Sequence, residues 1–350
     1  MTVPAGDAYC FSAMSWEQGP IRPPSEAASL LVRVSRNCPW NRCAFCPVYK
    51  GEKFSLRSAG EVIVDLQEMK LAYGDSPRTV FLQDANPLLT KPDELIKILE
   101  AIRRLFPRVE RVTAYARSHT LARRSLADLK RIRQAGLDRL HVGMESGCDA
   151  VLRLVQKGTT RAEQIEGGRR AKQAGFELSE YLMPGLGGRE LSAEHARDSA
   201  SAIREIQPDF VRLRTLAVIP GTPLEELVRQ GKFTPPAEAE IVREIRMFLE
   251  GLEGVTTRLE SDHMLNLLME LRGQLPRERE RLIGICDEFL KLPERLQKKF
   301  ILARRLGWMG TLREIDRVVL EPEIDRALEK LEKEGIDPEV FFHQLRTRMV

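Results

Sequence analysis

Strand-like and helix-like segments alternate through the first part of the chain, and this alternation restricts the fold more than any other feature. Helical patterns lie near 58–73, 91–105, 120–134, 160–174 and 192–206, between six apolar runs typical of buried strands: 31–34, 79–82, 109–115, 137–142, 177–183 and 210–217. Strand–helix–strand units of about 30–45 residues predict a parallel sheet with right-handed crossovers. Such units can form an open barrel or a doubly wound sheet, and periodicity alone does not decide between them.

The chain divides into three parts by pattern. Residues 1–30 predict an irregular leader, and residues 31–260 hold the alternating units and a seventh strand-like segment at 255–260. From residue 261 the pattern is almost wholly helical and predicts a helical C-terminal extension over 261–350. A chain of 350 residues, 43% of them hydrophobic, suits one large domain with an appendage, or two domains.

The composition also indicates a compartment. No apolar run approaches the ~18 residues needed to span a bilayer, and the leader lacks the basic start and apolar stretch of a signal peptide. Three of the six cysteines are clustered, which fits a reducing compartment better than a disulfide framework. We therefore predict a cytoplasmic protein without a membrane segment. The net charge of +4 is mild, and no aromatic residues interleave with the basic face at 123–133, so nothing points to a nucleic-acid partner.

The clustered cysteines directly follow the first strand, in the spacing C-x4-C-x2-C. Cys38, Cys43 and Cys46 cannot all pair in disulfides, and zinc usually takes four donors, yet no histidine precedes His119. A [4Fe–4S] cluster usually takes four thiolates, so three would leave one iron open to a small molecule. A zinc knuckle or three incidental buried thiols are the alternatives.

Polar residues follow the next strands, and the carboxyl ends of parallel strands are where ligands bind. Asp84 and Asn86 end the second strand and can accept hydrogen bonds from an ammonium group, or cap the next helix. Arg117 and His119 end the third strand and can bind an anion or relay a proton, or lie on a surface loop. Glu145 ends the fourth strand between two glycines, which directs one carboxylate toward a ligand.

Later strand ends add further candidates. Arg212 and Arg214 lie on one side of the sixth strand, and an arginine that faces into a barrel needs an anionic partner. Asp262 and His263 close the seventh segment and are candidates for substrate-side acid–base chemistry, with a helix N-cap as the alternative.

The cysteine motif resembles that of the radical S-adenosylmethionine (SAM) superfamily. In that family three cysteines bind a [4Fe–4S] cluster whose fourth iron chelates SAM, and an aromatic residue, here Phe45, precedes the last cysteine. The first gap is one residue longer than the usual C-x3-C-x2-C spacing. The resemblance implies an α/β fold, a partial (β/α)6 TIM-like barrel followed by the helical extension.

The fourth strand carries the next part of the resemblance. The segment Gly143-Met-Glu145-Ser-Gly resembles a motif of methylthiotransferases, the Elongator catalytic subunit and oxygen-independent coproporphyrinogen oxidase. This likeness implies that Glu145 contacts SAM and that Lys157 binds its carboxylate. It also implies that Glu180 binds the ribose hydroxyls and that Met183 packs near the adenine.

At two further positions the resemblance is less direct. Asp84 and Asn86 stand where relatives hold the SAM ammonium, but the usual Gly-Gly-Glu glycines are missing. Arg214 is assigned to a substrate or SAM carboxylate.

The resemblance implies an oxygen-sensitive enzyme. Reduced by a flavodoxin- or ferredoxin-type donor, the cluster would cleave SAM to a 5′-deoxyadenosyl radical that abstracts hydrogen from a substrate. We expect a small molecule or cofactor precursor as the substrate, with RNA or a peptide as the alternative. The lack of a second cysteine triad argues against methylthiotransferase chemistry. An iron–sulfur electron carrier or sensor that never cleaves SAM is the competing hypothesis.

Overall fold

One eight-stranded sheet forms the centre of the protein. The computed structural model describes residues 16–316 and 321–349, so part of the predicted leader, residues 1–15, lies outside it. The strands are β1 (Leu30–Arg33), β2 (Ser35–Arg36), β3 (Ser55–Leu56), β4 (Thr79–Gln83), β5 (Arg111–Ala116), β6 (Arg139–Glu145), β7 (Glu177–Leu182), β8 (Phe210–Leu213), β9 (Thr257–Glu260) and β10 (Gly273–Leu275).

The central sheet is mostly parallel and open at one side. Its order is β1-β4-β5-β6-β7-β8-β9-β10, and only β10 runs antiparallel to its neighbour. Within the described residues β1 and β10 are the two edges, so the sheet does not close into a full barrel. This topology confirms the predicted α/β fold with an open, TIM-like parallel sheet. β9 extends it by a seventh parallel strand.

Helices cover the outer face of the sheet. They are α1 (Ala59–Tyr73), α2 (Pro92–Leu105), α3 (Ser118–Arg123), α4 (Leu126–Gln134), α5 (Asp149–Leu154), α6 (Arg161–Gln173), α7 (Ser192–Ile206), α8 (Pro223–Arg229), α9 (Glu238–Glu250), α10 (Arg279–Lys291), α11 (Glu294–Arg305), α12 (Pro322–Lys333) and α13 (Pro338–Thr347). The core lies between these helices and outward-facing strand residues such as Val112, Leu140 and Leu178, all fully buried. No helix in the described part is both long and apolar enough to cross a membrane.

One helix predicted from the sequence is two helices in the structure. The pattern over 120–134 predicts one helix, but the structure contains α3 and α4 with a break at Arg124 and Ser125. The hydroxyl of Ser125 accepts a hydrogen bond from the amide of Asp128, 3.1 Å away, and so starts a new helix as its N-cap.

The predicted helical extension over 261–350 includes a strand near its start. Residues 273–275 form β10, which pairs with β9 and continues the central sheet before α10 begins. Gly273 and Leu275 are buried and Gln274 is half-buried, an alternation too short to detect against the flanking helical pattern. Within residues 279–316 and 321–349 the structure contains the helices α10, α11, α12 and α13 and a short 3₁₀ turn at Leu312–Glu314.

The N-terminal end of the barrel is filled. Glu26, from the segment before β1, is completely buried, and its Oε1 lies 3.2 Å from Nε2 of His141 on β6. The rings of Phe81, Tyr115 and Tyr181 surround that imidazole at centroid distances of 5.8–6.3 Å. Among the described residues the interior is therefore packed at this end, and the cavity lies toward the carboxyl ends of the strands.

Candidate functional site

A cavity opens at the carboxyl ends of the parallel strands. It holds about 1350 Å³ of empty space, including solvent at its open mouth. Most of the residues predicted from the sequence to form a site lie on its walls: Cys38, Cys43, Phe45, Cys46, Arg117, Glu145, Lys157, Met183 and Arg214. A concave site lined by aromatic and apolar side chains with a few polar groups is typical of small-molecule binding.

The cysteine loop between β2 and β3 is hydrogen-bonded to the turn after α5 and to the first turn of α8. The amide of Ala44 donates to the carbonyl oxygen of Val155 at 2.8 Å, and the carbonyl of Ala44 accepts from the amide of Leu224 at 3.0 Å. A turn within the loop brings the amide of Cys46 to 3.3 Å from the carbonyl of Cys43. The loop is thus held rigidly enough to present its thiols from one wall.

The three thiols fit the ligand set of an iron–sulfur cubane. Cys38, Cys43 and Cys46 are half-buried and unpaired, and all three face the same cavity. Each thiolate of a cubane binds its own iron, so the three sulfurs need not meet at one point. Among the described residues no three His, Cys, Asp or Glu side chains are arranged around a single metal ion. Burial raises the pKa of Cys43 and Cys46, and the ammonium of Lys157 opposes that rise.

Glu145 and Lys157 form an ion pair on the cavity wall. Nζ of Lys157 donates to Oε1 of Glu145 at 3.1 Å, and both side chains are mostly buried. Burial lowers the pKa of Lys157, but the Glu145 carboxylate and the charge of Cys43 together more than offset burial, so the pKa is raised. Glu145 has a left-handed backbone with φ of 63°, which is uncommon for a residue other than glycine. A Cβ atom at Gly143 would overlap the Glu145 carboxylate, so a larger residue there would displace that side chain.

Trp40, in the cysteine loop, connects that loop to the turn that carries Lys157. Its indole Nε1 donates to the carbonyl of Gln156 at 2.7 Å, and the guanidinium of Arg117 lies 5.5 Å from the ring centroid. Gly158 packs directly against the indole ring, so that a Cβ atom there would overlap it. The contact between loop and turn therefore depends on Trp40.

A buried histidine ties the end of β6 to the end of β7. Nε2 of His195 donates to the carbonyl oxygen of Met183 at 3.1 Å, which leaves Nδ1 to accept from the hydroxyl of Ser146 at 2.8 Å in the neutral ring. The amide of Met183 in turn donates to the carbonyl of Glu145 at 3.0 Å. Together with the Glu145–Ser146 peptide, these hydrogen bonds form a closed ring that includes Glu145, the residue with the left-handed backbone.

Asp84 and Asn86, predicted to hold the SAM ammonium, lie behind the cavity wall instead. The Asp84 carboxylate accepts from Nε of Arg33 at 2.7 Å and from the hydroxyl of Tyr49 at 3.0 Å. The side-chain amide of Asn86 donates to the hydroxyl of Thr120 at 2.8 Å. Both polar groups are fully buried and already engaged with protein partners, so they support the loops around the site.

Glu180, predicted to bind the ribose hydroxyls, is also absent from the cavity wall. Side chains alternate along β7, and Tyr181 and Met183 line the cavity while Glu180 is completely buried elsewhere. Neither of its carboxylate oxygens has a hydrogen-bond partner among the described residues. Burial raises the pKa of Glu180 well above its usual value, and the nearby charge of Glu145 adds to the rise.

Asp262 and His263, the predicted acid–base pair, are not hydrogen-bonded to one another among the described residues, although the Asp262 charge acts on the imidazole. Asp262 forms an ion pair with Arg212, and Nδ1 of His263 accepts from the amide of Leu265 at 3.2 Å. Burial lowers the pKa of His263 to about 4, with a further contribution from the positive charge of Arg214. Neither side chain lines the cavity, although Leu265 and Arg214 do.

Four aromatic residues that line the cavity were not predicted as site residues from the sequence: Trp40, Tyr49, Tyr115 and Tyr181. Tyr115 and Tyr181 could have been found by following alternate positions along β5 and β7 up to the strand ends, because inward-facing residues recur with a period of two. Trp40 falls within the extra-long gap of the cysteine motif, where no pattern marks its role.

The chain is similar in sequence to a known protein family and to several curated proteins. The family model of the radical SAM superfamily matches residues 32–200. Among curated proteins, the tRNA uridine(34) acetyltransferase of Methanocaldococcus infernus is 26% identical over 119 residues, which are 34% of this chain and 22% of that protein. Biotin synthase of Anaeromyxobacter sp. is 30% identical over 199 residues, which are 55% of this chain and 51% of that protein.

Solved structures include similar folds. Coproporphyrinogen III oxidase of Escherichia coli superposes with a TM-score of 0.48 at 18% identity, covering 63% of this chain and 52% of that one. This chain thus spans less than a quarter of the acetyltransferase, at 22%, and about half of the biotin synthase, at 51%.

Proposed function

We propose that this chain, whose residues 32–200 match the family model of the radical SAM superfamily, is an enzyme that cleaves SAM reductively to act on a small molecule. One observation supports this proposal above all others. The three thiols of a single loop face one cavity, and the Glu145–Lys157 ion pair lies on the wall of that same cavity. The arrangement offers cluster ligands and polar groups for an amino acid moiety within one enclosed space.

The bound cofactors would supply the radical chemistry, and the residues of the cavity would hold and orient them. When bound, a [4Fe–4S] cluster and SAM supply a 5′-deoxyadenosyl radical by one-electron cleavage of the sulfonium. Cys38, Cys43 and Cys46 would hold the cluster, with Phe45 packed beside them. Glu145 would accept from SAM, and Lys157 would bind its carboxylate through a charge-assisted hydrogen bond.

Other residues of the cavity would orient and shield the cofactor. Met183 follows β7 on the cavity wall, and its backbone is fixed by Glu145 and His195, so it can pack against a flat ring without moving. Arg117 donates to the carbonyls of Lys157 and Gly158 at 3.3 and 3.4 Å and so holds the turn that presents the lysine. A dry, preorganised wall of this kind protects a reactive radical from water.

The reductant and the compartment belong to the same proposal. One-electron reduction requires a donor, for which we propose a flavodoxin- or ferredoxin-type protein in the cytoplasm. The loop around the cysteines contains the exposed residues Arg42, Pro47 and Lys50, so a donor protein can approach the cluster from outside. All five cysteines in the described residues are free thiols, which suits a reducing environment.

SAM cleavage provides the test. The full chain is reconstituted anaerobically with iron and sulfide, and SAM and dithionite are added. We expect release of 5′-deoxyadenosine and methionine, and we expect Cys43→Ala to abolish both that release and the cluster absorbance. Cys286→Ala, at a buried thiol remote from the cavity lining, is the matched control and should retain both.

Two results would contradict the proposal. A cluster that forms and accepts electrons without any SAM cleavage would indicate an iron–sulfur carrier or sensor. Zinc bound at the cysteine loop in place of iron and sulfide would indicate a zinc-dependent binding module.

A further inference from the structure

We propose that Arg214, with the hydroxyl groups of Tyr181 and Tyr115, binds a negatively charged group of the substrate, either a carboxylate or a phosphate. The inference names a substrate class and rests on the proposed function for the identity of the site. All three side chains line the same cavity as the cysteine loop.

Arg214 differs from the other arginine on its strand segment. Arg212, two residues earlier, is buried and paired with Asp262, and its Nε also donates to the hydroxyl of Ser179 at 3.2 Å. Arg214 is half-buried, yet in residues 16–316 and 321–349 no hydrogen bond or ion pair reaches its guanidinium. A charge removed from water without a partner is costly, so a partner from outside the chain is expected.

The tyrosine hydroxyls supply neutral donors beside that charge. The hydroxyl of Tyr181 is buried and has no hydrogen-bond partner among the described residues. Burial raises the pKa of Tyr181 well above its usual value, so the phenol keeps its proton at neutral pH and can donate it. Tyr115 lies on β5, and the positive charge of Arg214 acts on the phenols of both tyrosines. A guanidinium and two phenol donors together recognise an oxyanion.

The other charges of the cavity are already assigned to different partners. Lys157 is paired with Glu145, and Arg117 donates to two backbone carbonyls and lies over the ring of Trp40. Apart from the cysteines and His119, the described wall residues carry three cationic side chains, Arg117, Lys157 and Arg214, and one carboxylate, Glu145. Lys157 and Glu145 can serve the amino acid part of SAM, which leaves Arg214 for the substrate.

Binding of simple anions tests the assignment without requiring turnover. The reconstituted full chain is saturated with S-adenosylhomocysteine, which fills the SAM site, and is titrated with succinate in one arm and inorganic phosphate in the other. Calorimetry then gives a dissociation constant for each anion. The arm with the tighter binding identifies the substrate group as a carboxylate or as a phosphate.

Substitutions connect the anion to the named residues. We expect Arg214→Gln to weaken binding of the preferred anion by about tenfold or more, and Tyr181→Phe by about fivefold, since each removes a hydrogen bond to a charged group. Arg212→Gln, which alters an arginine already paired with Asp262, is the matched control and should leave the affinity within about twofold. Affinity for S-adenosylhomocysteine should stay unchanged in Arg214→Gln and in Tyr181→Phe.

Several outcomes would overturn the assignment. Equal anion affinity in the parent protein and in both Arg214→Gln and Tyr181→Phe would do so. Loss of S-adenosylhomocysteine affinity in Arg214→Gln would do so as well, because Arg214 would then serve the SAM carboxylate. If anion binding behaves as expected but SAM is never cleaved, the proposed function fails and the anion site stands.

Discussion

The imidazole of His195 and the hydroxyl of Ser146 lie 2.8 Å apart inside the protein, and this contact completes the hydrogen-bonded ring around Glu145. His195 is nearly inaccessible to solvent, and its other nitrogen donates to the carbonyl of Met183. Residues in sparsely populated backbone conformations persist only where their surroundings hold them. We infer that His195 maintains the left-handed conformation of Glu145.

Replacement of His195 by Phe should therefore be costly. The change leaves the hydroxyl of Ser146 and the carbonyl of Met183 buried without this partner, and we expect the free energy of unfolding to fall by about 3 kcal/mol. Urea denaturation of the variant and the parent protein measures this free energy of unfolding. His119→Phe, at a half-exposed histidine that contacts Glu163, is the control and should cost less than about 1 kcal/mol. An unchanged midpoint for the His195 variant would show that the ring contributes nothing.

Gly158→Ala should displace the cysteine loop from the Lys157 turn. Gly158 and Gly231 both have positive φ, of 69° and 65°, so alanine adds a similar backbone strain of roughly 1–2 kcal/mol at either site. Only at Gly158 would the new Cβ also overlap the indole of Trp40. We expect altered tryptophan fluorescence and weaker iron incorporation in Gly158→Ala, and neither in Gly231→Ala. Identical spectra for the two variants would contradict the proposed contact.

Glu180→Gln should stabilise the protein increasingly as the pH rises. Burial raises the folded-state pKa of Glu180, so its contribution to stability is fully present below the unfolded-state pKa and is lost as the pH rises toward the folded value. Glutamine does not titrate and avoids this loss. Urea midpoints at about pH 5 and about pH 8 should therefore differ more between the variant and the parent at the higher pH.

The same strand offers a control for that measurement. Glu177 pairs with Arg139, and its side chain is 38% exposed. Glu177→Gln should shift the midpoint little and by a similar amount at both pH values. A Glu180 variant less stable than the parent at the higher pH would show that the carboxylate has a stabilising partner.

Glu238→Gln should loosen the C-terminal helices. The fully buried Glu238 carboxylate accepts from Nη2 of Arg305 at 2.6 Å and lies 3.3 Å from Nη2 of Arg346, so removing it leaves two buried cations unpaired. We expect a loss of about 3–5 kcal/mol in unfolding free energy. Faster amide exchange in α11 and α13 should accompany it.

The pH dependence of this cluster has the opposite sign to that of Glu180. Burial opposes ionisation of Glu238, but the two arginines outweigh burial and lower its pKa. Its contribution is present above the unfolded-state pKa of about 4.3 and is lost as the pH falls below that value. Glu240→Gln, at a partly exposed carboxylate paired with Arg189, should cost less than about 1 kcal/mol and serves as the control. A Glu238 variant as stable as this control would refute the assigned role.

The fold was readable from the sequence because its signals are local. The capping box at Ser58 and Glu61 and the positive-φ glycines Gly136 and Gly175 all occur where the sequence pattern places helix ends. Parallel strands buried on both faces leave continuous apolar runs, which short-range patterns detect. β10 was missed because three residues are too few to show a period.

The site was only partly readable because many of its determinants are long-range. Asp84 is engaged by Arg33, 51 residues away, and His195 contacts Ser146 from 49 residues away, pairings that no local pattern reveals. Glu180 was misplaced for a different reason. Side chains alternate along β7, and it is Tyr181, the next residue, whose side chain faces the cavity. The cysteines, by contrast, lie on one short loop, so their proximity followed directly from the spacing.

Among the described residues the packing of Glu26 against His141 closes the amino-terminal end of the barrel, whereas the side between the edge strands β1 and β10 stays open. Tyr115 and Tyr181 lie within strands, whereas the cysteines and Lys157 lie on loops nearer the rim. Under the proposed function, SAM held at the rim would cover part of the cavity mouth above a substrate bound at the two tyrosines. That arrangement favours binding of the substrate before SAM.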